Sequence, residues 1–184
     1  MSLPSQQRLR LSGGTELSFV TAGKASDPAL LLLHGFPSSS RTYRDVIPEL
    51  SRTAYVIAPD MPGSGQSDPL PEASFEAFAR ATEELLDHLA IGRRFIYIHD
   101  SGAPVGLRIA MRSPDRVAGL IVQNANAHRT GLGPLWDDTL EFWSNPTKEN
   151  EAKVTPHLTF EFTREQYTGG LPEEVAARIT GEPW

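Results

Sequence analysis

The chain has 184 residues, of which 39% are hydrophobic and 22% are charged, and its formal net charge is −6. This length and balance predict one domain with a sizeable core and exclude a disordered chain, and no apolar run approaches the ~20 residues that cross a bilayer. The absence of cysteine excludes disulfides and thiolate metal sites, and an acidic charge without clustered Lys or Arg argues against a nucleic-acid partner.

Short apolar runs predict the strands of a sheet. An N-terminal hairpin joins residues 7–11 to residues 16–22 through a Ser-Gly-Gly-Thr turn. The later runs are continuous rather than alternating, which is typical of parallel strands covered on both faces. These runs are Ala29–Leu33, Tyr55–Ala58, Phe95–Ile98 and Val117–Val122.

Helical segments separate these strands. Ser74 is placed to cap a helix with an apolar stripe that ends near Gly92, and a second helix covers residues 103–112. A weaker pattern predicts a further helix over residues 42–50. The alternation predicts the α/β fold class, with a mostly parallel sheet and helices on both faces.

The alternation stops after the last predicted strand. Trp136, Leu140 and Trp143 follow at helical spacing, a charged helix-like stretch covers residues 147–154, and a further short helix is predicted over residues 173–179. We therefore predict a sheet core of about six strands over residues 1–126 and a helical accessory region over residues 127–184.

Three motifs each follow a predicted strand. They are His-Gly-Phe-Pro at residues 34–37, the glycine-punctuated loop at residues 60–68, and His-Asp-Ser-Gly at residues 99–102. Together and in this order they resemble the α/β-hydrolase family over residues 11–123. In that family the nucleophile lies on a tight strand-to-helix turn. We expect His34 to shape its turn rather than to react, and Asp60 and Asp68 to bond backbone amides.

Two adjacent residues compete for the position of the nucleophile. Pro114 lies fourteen residues beyond Asp100, which is the spacing that the resemblance associates with the nucleophile. His-Asp-x-Gly also resembles the turn of the epoxide hydrolase and haloalkane dehalogenase branch, whose nucleophile is an aspartate. We therefore assign the role to Asp100, with Ser101 as the alternative, and interpret His99 as a packed or supporting group.

The resemblance implies a covalent mechanism that needs no cofactor and no metal. An aspartate carboxylate is ionised at neutral pH and attacks a saturated carbon without a base, which gives an alkyl ester on the protein. Water then cleaves that ester through an oxyanion that the backbone N–H groups of Phe36 and Ser101 stabilise. The expected substrate is a small apolar-to-amphipathic organic molecule.

The motifs favour an epoxide over a carbon–halogen bond. Dehalogenases of this branch carry a Trp after the nucleophile and often an Asn within His-Gly-x-Pro, where this chain has Ser101 and Phe36. In the accessory region, which the resemblance identifies as the start of a cap, Tyr167 is the candidate acid for the opening oxygen. Trp136 is a candidate substrate-binding aromatic. A haloalkane dehalogenase-like hydrolase, a serine esterase using Ser101 and a non-catalytic ligand-binding relative stay open.

The family's acid and its histidine for turnover have no counterpart at a matching position in this sequence. We therefore expect a truncated chain in which Asp100 is alkylated once and stays alkylated. We also expect the strand at residues 117–122 to form an apolar sheet edge that promotes self-association. With no recognisable signal peptide, the expected location is the cytoplasm.

Overall fold

The computed structural model of the protein describes residues 4–179. In this part of the chain six strands form one sheet. They are β1 (Ser5–Arg10), β2 (Glu16–Ala22), β3 (Ala29–Leu33), β4 (Tyr55–Pro59), β5 (Arg94–His99) and β6 (Val117–Gln123). Every predicted strand is therefore present, within about one or two residues at each end.

Helices lie between the later strands and fill the accessory region. The α-helices are α1 (Ile47–Leu50), α2 (Phe75–His88), α3 (Gly102–Arg112), α4 (Asp137–Ser144), α5 (Lys148–Val154), α6 (Phe160–Thr168) and α7 (Glu173–Ala176). Short 3₁₀ turns cover Ser40–Tyr43, Pro114–Arg116, Arg129–Gly131, Pro134–Trp136 and Thr155–Leu158. None of the helices within residues 4–179 combines the length and apolar character that a membrane crossing requires.

The strand order across the sheet is β1-β2-β4-β3-β5-β6. β1 and β2 form the predicted antiparallel hairpin, and β2 pairs antiparallel with β4. The remaining pairs, β4 with β3, β3 with β5 and β5 with β6, are parallel. The carboxyl ends of β3, β4, β5 and β6 therefore meet at one edge of the sheet, where α/β proteins build their sites.

The sheet core consists of two apolar layers, one on each face. Along β3 all five residues are buried, and alternate side chains enter opposite layers because successive strand residues point to opposite faces. Leu31 and Leu33 pack with residues of α2 and α3, whereas Leu30 and Leu32 pack with Tyr43 and Ile47. This double cover explains why β3 is apolar throughout.

β6 is the edge strand of the sheet as the structure describes it. Its side chains become more exposed toward its carboxyl end, with Leu120 at 42%, Ile121 at 45% and Val122 at 60% of full exposure. The exposed apolar edge predicted from the sequence is therefore present in the described residues.

Two helix predictions need correction. The helix predicted over residues 42–50 is broken into a 3₁₀ turn and the four-residue α1, because Pro48 has no N–H to donate to the carbonyl four residues earlier. The nine-residue α6 was not predicted at all. Only Thr163 of α6 is buried, so its sequence lacks the apolar stripe that reveals a helix.

α2 begins as predicted and ends differently. The Ser74 side chain accepts a hydrogen bond of 3.1 Å from the N–H of Ala77. At the other end, Ala90 adopts φ 54° and Ile91 donates a 2.8 Å hydrogen bond to the carbonyl of Leu86. This is the Schellman arrangement, in which glycine is the usual left-handed residue. The chain places Ala90 there rather than Gly92.

The chain divides after Ala127 into two compact units. The predicted boundary lies one residue earlier. The first unit contains the sheet with α1, α2 and α3. The second unit contains α4 to α7, with an ion pair of 2.9 Å between Lys153 and Glu141 that links α5 to α4.

Candidate active site

Asp100 occupies the turn between β5 and α3. Its φ is 47°, in the left-handed region that few residues other than glycine adopt without strain. Aspartate and asparagine tolerate this conformation better than other side chains. Asp100 is partly exposed, and its carbonyl accepts a 3.0 Å hydrogen bond from Ala103 in the first turn of α3. The turn therefore presents a carboxylate at the carboxyl edge of the parallel strands.

The residues that follow β3, residues 34–36, lie next to this carboxylate. Leu33 at the end of β3 is in register with Ile98 of β5, so the chain segments that follow the two strands are neighbours. The backbone N–H of Phe36 donates a hydrogen bond of 2.8 Å to Oδ1 of Asp100. The Phe36 side chain is 63% exposed, so only its amide is committed to this contact.

Two glycines make the close approach possible. A Cβ on Gly35 would lie 2.6 Å from the Cβ of Asp100, and a Cβ on Gly102 would lie 2.6 Å from the carbonyl oxygen of Leu33. Real Cβ atoms do not approach other heavy atoms this closely, so any side chain at either position would push β3 and the Asp100 turn apart. The distance between Phe36 and Asp100 depends on both.

Ser101 stands at the N-terminus of α3, with φ −67° and ψ −10°, and its hydroxyl makes no capping hydrogen bond. The strained residue of the turn is thus Asp100, and Ser101 has ordinary helical backbone angles. The Ser101 amide lies among the first N–H groups of the helix, which have no partner within the helix itself.

His34 is buried at 1% exposure directly after β3. Its Nδ1 lies 2.8 Å from the carbonyl oxygen of Gly35, and its Nε2 accepts a 2.9 Å hydrogen bond from the N–H of Met61. Burial lowers the pKa of His34 below its ordinary value, against the opposing effects of the Gly35 carbonyl, Asp60 and Asp100. His34 therefore has both ring nitrogens on backbone groups, as expected for a residue that shapes its turn.

The loop at residues 60–68 is held by its own polar side chains. The buried Asp60 accepts hydrogen bonds from the amides of Ser40 at 2.8 Å and Gln66 at 3.0 Å. Asp68 accepts from the amide of Glu16 at 3.2 Å, and the Ser67 hydroxyl donates to the Asp60 carbonyl at 2.7 Å. Asp60 and Asp68 thus bond backbone amides as the sequence indicated.

His99 is directed to the neighbouring strand. Its Nδ1 lies 3.1 Å from the carbonyl oxygen of Gln123 in β6. Because a carbonyl oxygen only accepts, Nδ1 carries the proton in this contact. The His99 ring is thus hydrogen-bonded to β6, and its interpretation as a packed or supporting group stays a prediction.

Sequence reasoning missed two residues of this region. The motif indicates no separate role for Gly35, although this residue sets the clearance around Asp100. Tyr43 was not singled out, yet its hydroxyl donates a 2.8 Å hydrogen bond to the carbonyl of Leu33 and its ring packs edge-on against Tyr97 at 5.5 Å. Burial raises the pKa of the Tyr43 hydroxyl, so it remains a donor. The place of Gly35 in the His-Gly-Phe-Pro motif, directly after a predicted strand, was the available signal.

The two candidate substrate-binding residues lie in the second unit. Trp136 precedes α4, and its ring centroid is 6.0 Å from that of Trp143. Tyr167 lies near the end of α6 and is 37% exposed. Within residues 4–179, no three His, Asp or Glu side chains form a group that holds a metal ion.

Known proteins resemble this chain over most of its length. The model of the alpha/beta hydrolase fold family matches residues 28–166. An uncharacterized hydrolase of Saccharomyces cerevisiae is 39% identical over 142 residues, which are 75% of this chain and 49% of the yeast protein. A haloalkane dehalogenase of Mycobacterium marinum is 33% identical over 112 residues, which are 59% of this chain and 38% of the dehalogenase.

Solved structures agree with these sequence matches. Epoxide Hydrolase A from Mycobacterium thermoresistibile is 34% identical, with a TM-score of 0.59 over 65% of this chain and 39% of that structure. This chain thus spans about half of the yeast relative and less of the other two. The family match covers well over half of the chain and agrees with the parallel strands and the strand-to-helix turn, and the chain belongs to the α/β-hydrolase fold family.

Proposed function

We propose that this chain is part of an epoxide hydrolase-like enzyme in which Asp100 is the nucleophile. One observation carries the proposal. Asp100 is the strained residue of the strand-to-helix turn, and its carboxylate is held by the Phe36 amide at 2.8 Å. Ser101, the alternative nucleophile, has relaxed helical angles. A nucleophile on such a turn occupies its sharp, strained position.

The hydrogen bond from Phe36 distinguishes the roles of the two carboxylate oxygens of Asp100. Oδ1 accepts from Phe36, so Oδ2 is the oxygen that attacks the epoxide carbon. The new bond joins Oδ2 to that carbon, the ring C–O bond breaks, and the released oxygen takes up a proton to give a hydroxyalkyl ester. Oδ1 is then the carbonyl oxygen of the ester and already lies at a hydrogen-bond donor.

The second step is hydrolysis at the ester carbonyl. Attack of water places negative charge on Oδ1, where the amides of Phe36 and Ser101 stabilise it. This attack needs a base to accept the proton of the water. The buried His34 has both ring nitrogens on backbone groups, and no histidine of the sequence matches the position that the resemblance assigns to this base. We therefore expect this chain to form the ester and to retain it.

Two features support an epoxide as the substrate. The side chains at the two oxyanion positions, Phe36 and Ser101, include one hydroxyl and no ring N–H or amide to bind a departing halide. The second feature is implied by the resemblance: an epoxide hydrolase protonates the opening oxygen from a cap tyrosine, for which Tyr167 is the candidate, and Trp136 is the candidate aromatic for a small apolar-to-amphipathic substrate. We propose both as substrate-binding residues of a helical cap.

A haloalkane dehalogenase-like function is the second candidate. The 33% identity to the Mycobacterium marinum dehalogenase favours it. The attack by Asp100 is the same in both cases, and only the leaving group differs. The two functions are therefore separated by the choice of probe.

The test uses intact-mass spectrometry of the 184-residue protein incubated with styrene oxide, with 1-bromobutane in parallel. We expect one styrene oxide adduct that maps to Asp100, no adduct in Asp100→Asn, and adduct formation within about threefold of the original rate in Ser101→Ala. An adduct on another residue, or continuous diol release without an adduct, contradicts the proposal. Labelling of Ser101 by an ester-analogue phosphonate favours the serine esterase, and bromide release with the bromobutane adduct alone favours the dehalogenase.

We further propose that the chain self-associates through β6, whose apolar side chains and edge position support pairing. A cytoplasmic location and the absence of a nucleic-acid partner are proposals from composition.

A further inference from the structure

We infer that His34 is a positioning residue that aims the Phe36 N–H at Asp100 by fixing the peptide group between Gly35 and Phe36. The inference rests on the proposed function, since it assigns a role within the same site. It depends on three contacts that run from β4, through the imidazole, to the carboxylate.

The first contact fixes which ring nitrogen carries the proton. The N–H of Met61 donates to Nε2 of His34 at 2.9 Å, so Nε2 must have its lone pair free. A neutral imidazole then carries its proton on Nδ1. The backbone that follows β4 thus selects the tautomer of a side chain that follows β3.

The second contact fixes a peptide plane. With Nδ1 protonated, His34 donates to the carbonyl oxygen of Gly35 at 2.8 Å. This carbonyl and the N–H of Phe36 belong to the same planar peptide group, in which they point in opposite directions. A donor that holds the oxygen on one side therefore directs the N–H to the other side.

The third contact, between the Phe36 N–H and Asp100, follows from the first two. The Phe36 N–H points at Oδ1 of Asp100 with an N···O distance of 2.8 Å. His34 is 1% exposed, so water does not compete for its ring nitrogens. The buried Asp60 holds the loop next to Met61 through the amides of Ser40 and Gln66, which keeps the donor to Nε2 in place.

Protonation of His34 would disrupt these hydrogen bonds. A proton on Nε2 would face the Met61 N–H donor to donor, and the imidazolium would be buried. The charged and titratable groups that act on His34 are Asp60 and Asp100, which raise its pKa, and His99, which lowers it, but burial has the largest effect and lowers the pKa. We call the three hydrogen bonds described above the His34 relay. The relay needs neutral His34, and this is the form present at neutral pH.

The first test uses the unaltered protein labelled with ¹⁵N-histidine. We expect His34 to show an unprotonated Nε2 and a protonated Nδ1 at neutral pH. Either the opposite tautomer or an imidazolium overturns the inference. This measurement requires no variant and no substrate.

The second test compares two variants of similar polarity. In His34→Asn the amide nitrogen takes the place of Nδ1 and retains a donor for Gly35, whereas in His34→Gln the amide group lies near the position of Nε2 and retains only the acceptor for Met61. We expect Phe36 amide hydrogen exchange to stay within about threefold in the Asn variant and to accelerate about tenfold or more in the Gln variant. Equal exchange in both variants overturns the inference.

The rate of styrene oxide adduct formation completes the comparison. We expect the Gln variant to react about 10- to 100-fold more slowly than the original protein. The Asn variant should react at a rate within about threefold of the original rate. If the original protein forms no adduct but the exchange rates separate as expected, the proposed function fails and the relay stands. If the adduct forms and both variants react equally, the relay fails and the function stands.

Discussion

The amide of Phe36 and the carboxylate of Asp100 are joined by a 2.8 Å hydrogen bond across 64 residues of sequence. Phe36 follows β3 and Asp100 follows β5, and these two strands are parallel neighbours in the sheet. The contact therefore exists only because the sheet brings the carboxyl ends of β3 and β5 together.

Gly35→Ala is expected to disable the site while leaving a folded protein. The new Cβ would lie 2.6 Å from the Asp100 Cβ and 2.9 Å from Oδ1, so the carboxylate must move away from the Phe36 amide. A displacement of this kind lowers the rate of adduct formation by about 100-fold, and overpacking lowers the free energy of unfolding by about 1–3 kcal/mol. Mass spectrometry and urea denaturation measure the two effects. Gly13→Ala is the control, because no heavy atom lies within 4 Å of its Cβ position, and an equal loss in both variants would contradict the clearance argument.

Asp100 should show that the turn is strained. At φ 47° an alanine carries the steric cost of its Cβ without the local polar contacts of aspartate, whereas glycine carries no such cost. We expect Asp100→Gly to be about 1 kcal/mol more stable than Asp100→Ala, with adduct formation lost in both. At Arg80, an exposed position within α2, the order reverses because glycine weakens a helix by about 1 kcal/mol relative to alanine. If Asp100→Gly is less stable than Asp100→Ala, as glycine is expected to be at Arg80, Asp100 is not held in the left-handed region.

Ala90→Gly is expected to stabilise the protein. Ala90 adopts φ 54° at the end of α2, where its Cβ is unfavourable. Glycine at this position should raise the free energy of unfolding by about 1 kcal/mol, as measured by the urea midpoint at constant slope. Ala77→Gly, near the start of the same helix, should lower it by about 0.5–1 kcal/mol. A loss of stability in the Ala90 variant would contradict the Schellman assignment.

His34 should make folding sensitive to acid. Burial lowers its folded pKa below the ordinary value of 6.5, so the unfolded chain binds a proton first as the pH falls. The stabilisation from neutral His34 is therefore complete above that value and is lost as the pH falls through the folded pKa, at no more than about 1.4 kcal/mol per pH unit. Urea denaturation of the original protein and of His34→Asn at about pH 7.5 and about pH 5.5 should show a smaller difference in acid. A difference that grows in acid has the wrong sign for a lowered pKa.

Ile121→Lys is expected to reduce self-association through β6. Ile121 is 45% exposed on the edge strand, and a charge there disfavours pairing with a second edge. Sedimentation velocity over a range of concentrations should show less dimer and aggregate than in the original protein. Met111→Lys is a matched control on α3, where Met111 is 74% exposed. An equal reduction in both variants would indicate general solubility rather than pairing through the edge.

Much of the fold follows from local patterns in the sequence. The run Ala29–Leu33 is buried on both faces, and its continuous apolar character marked it as a central parallel strand. Ser74 caps α2 as its position before an apolar stripe indicated. Local patterns fail where the physical signal is weak or distant. α6 has one buried residue and therefore no stripe, and the helix predicted over residues 42–50 is interrupted between Tyr43 and Ile47, ahead of Pro48.

For the candidate site, the sequence by itself determined the residue types and their order: a carboxylate after one strand, the His-Gly-Phe-Pro motif after another, and acidic residues in a glycine-punctuated loop. Only the tertiary structure decided that Asp100 rather than Ser101 adopts the left-handed conformation. It alone decided that Phe36 donates to Oδ1 and that Met61 selects the tautomer of His34. The physical reason is that a hydrogen bond forms only within a few tenths of an ångström of its preferred donor–acceptor distance. The distances between groups at neighbouring strand ends are set by strand pairing across the whole sheet.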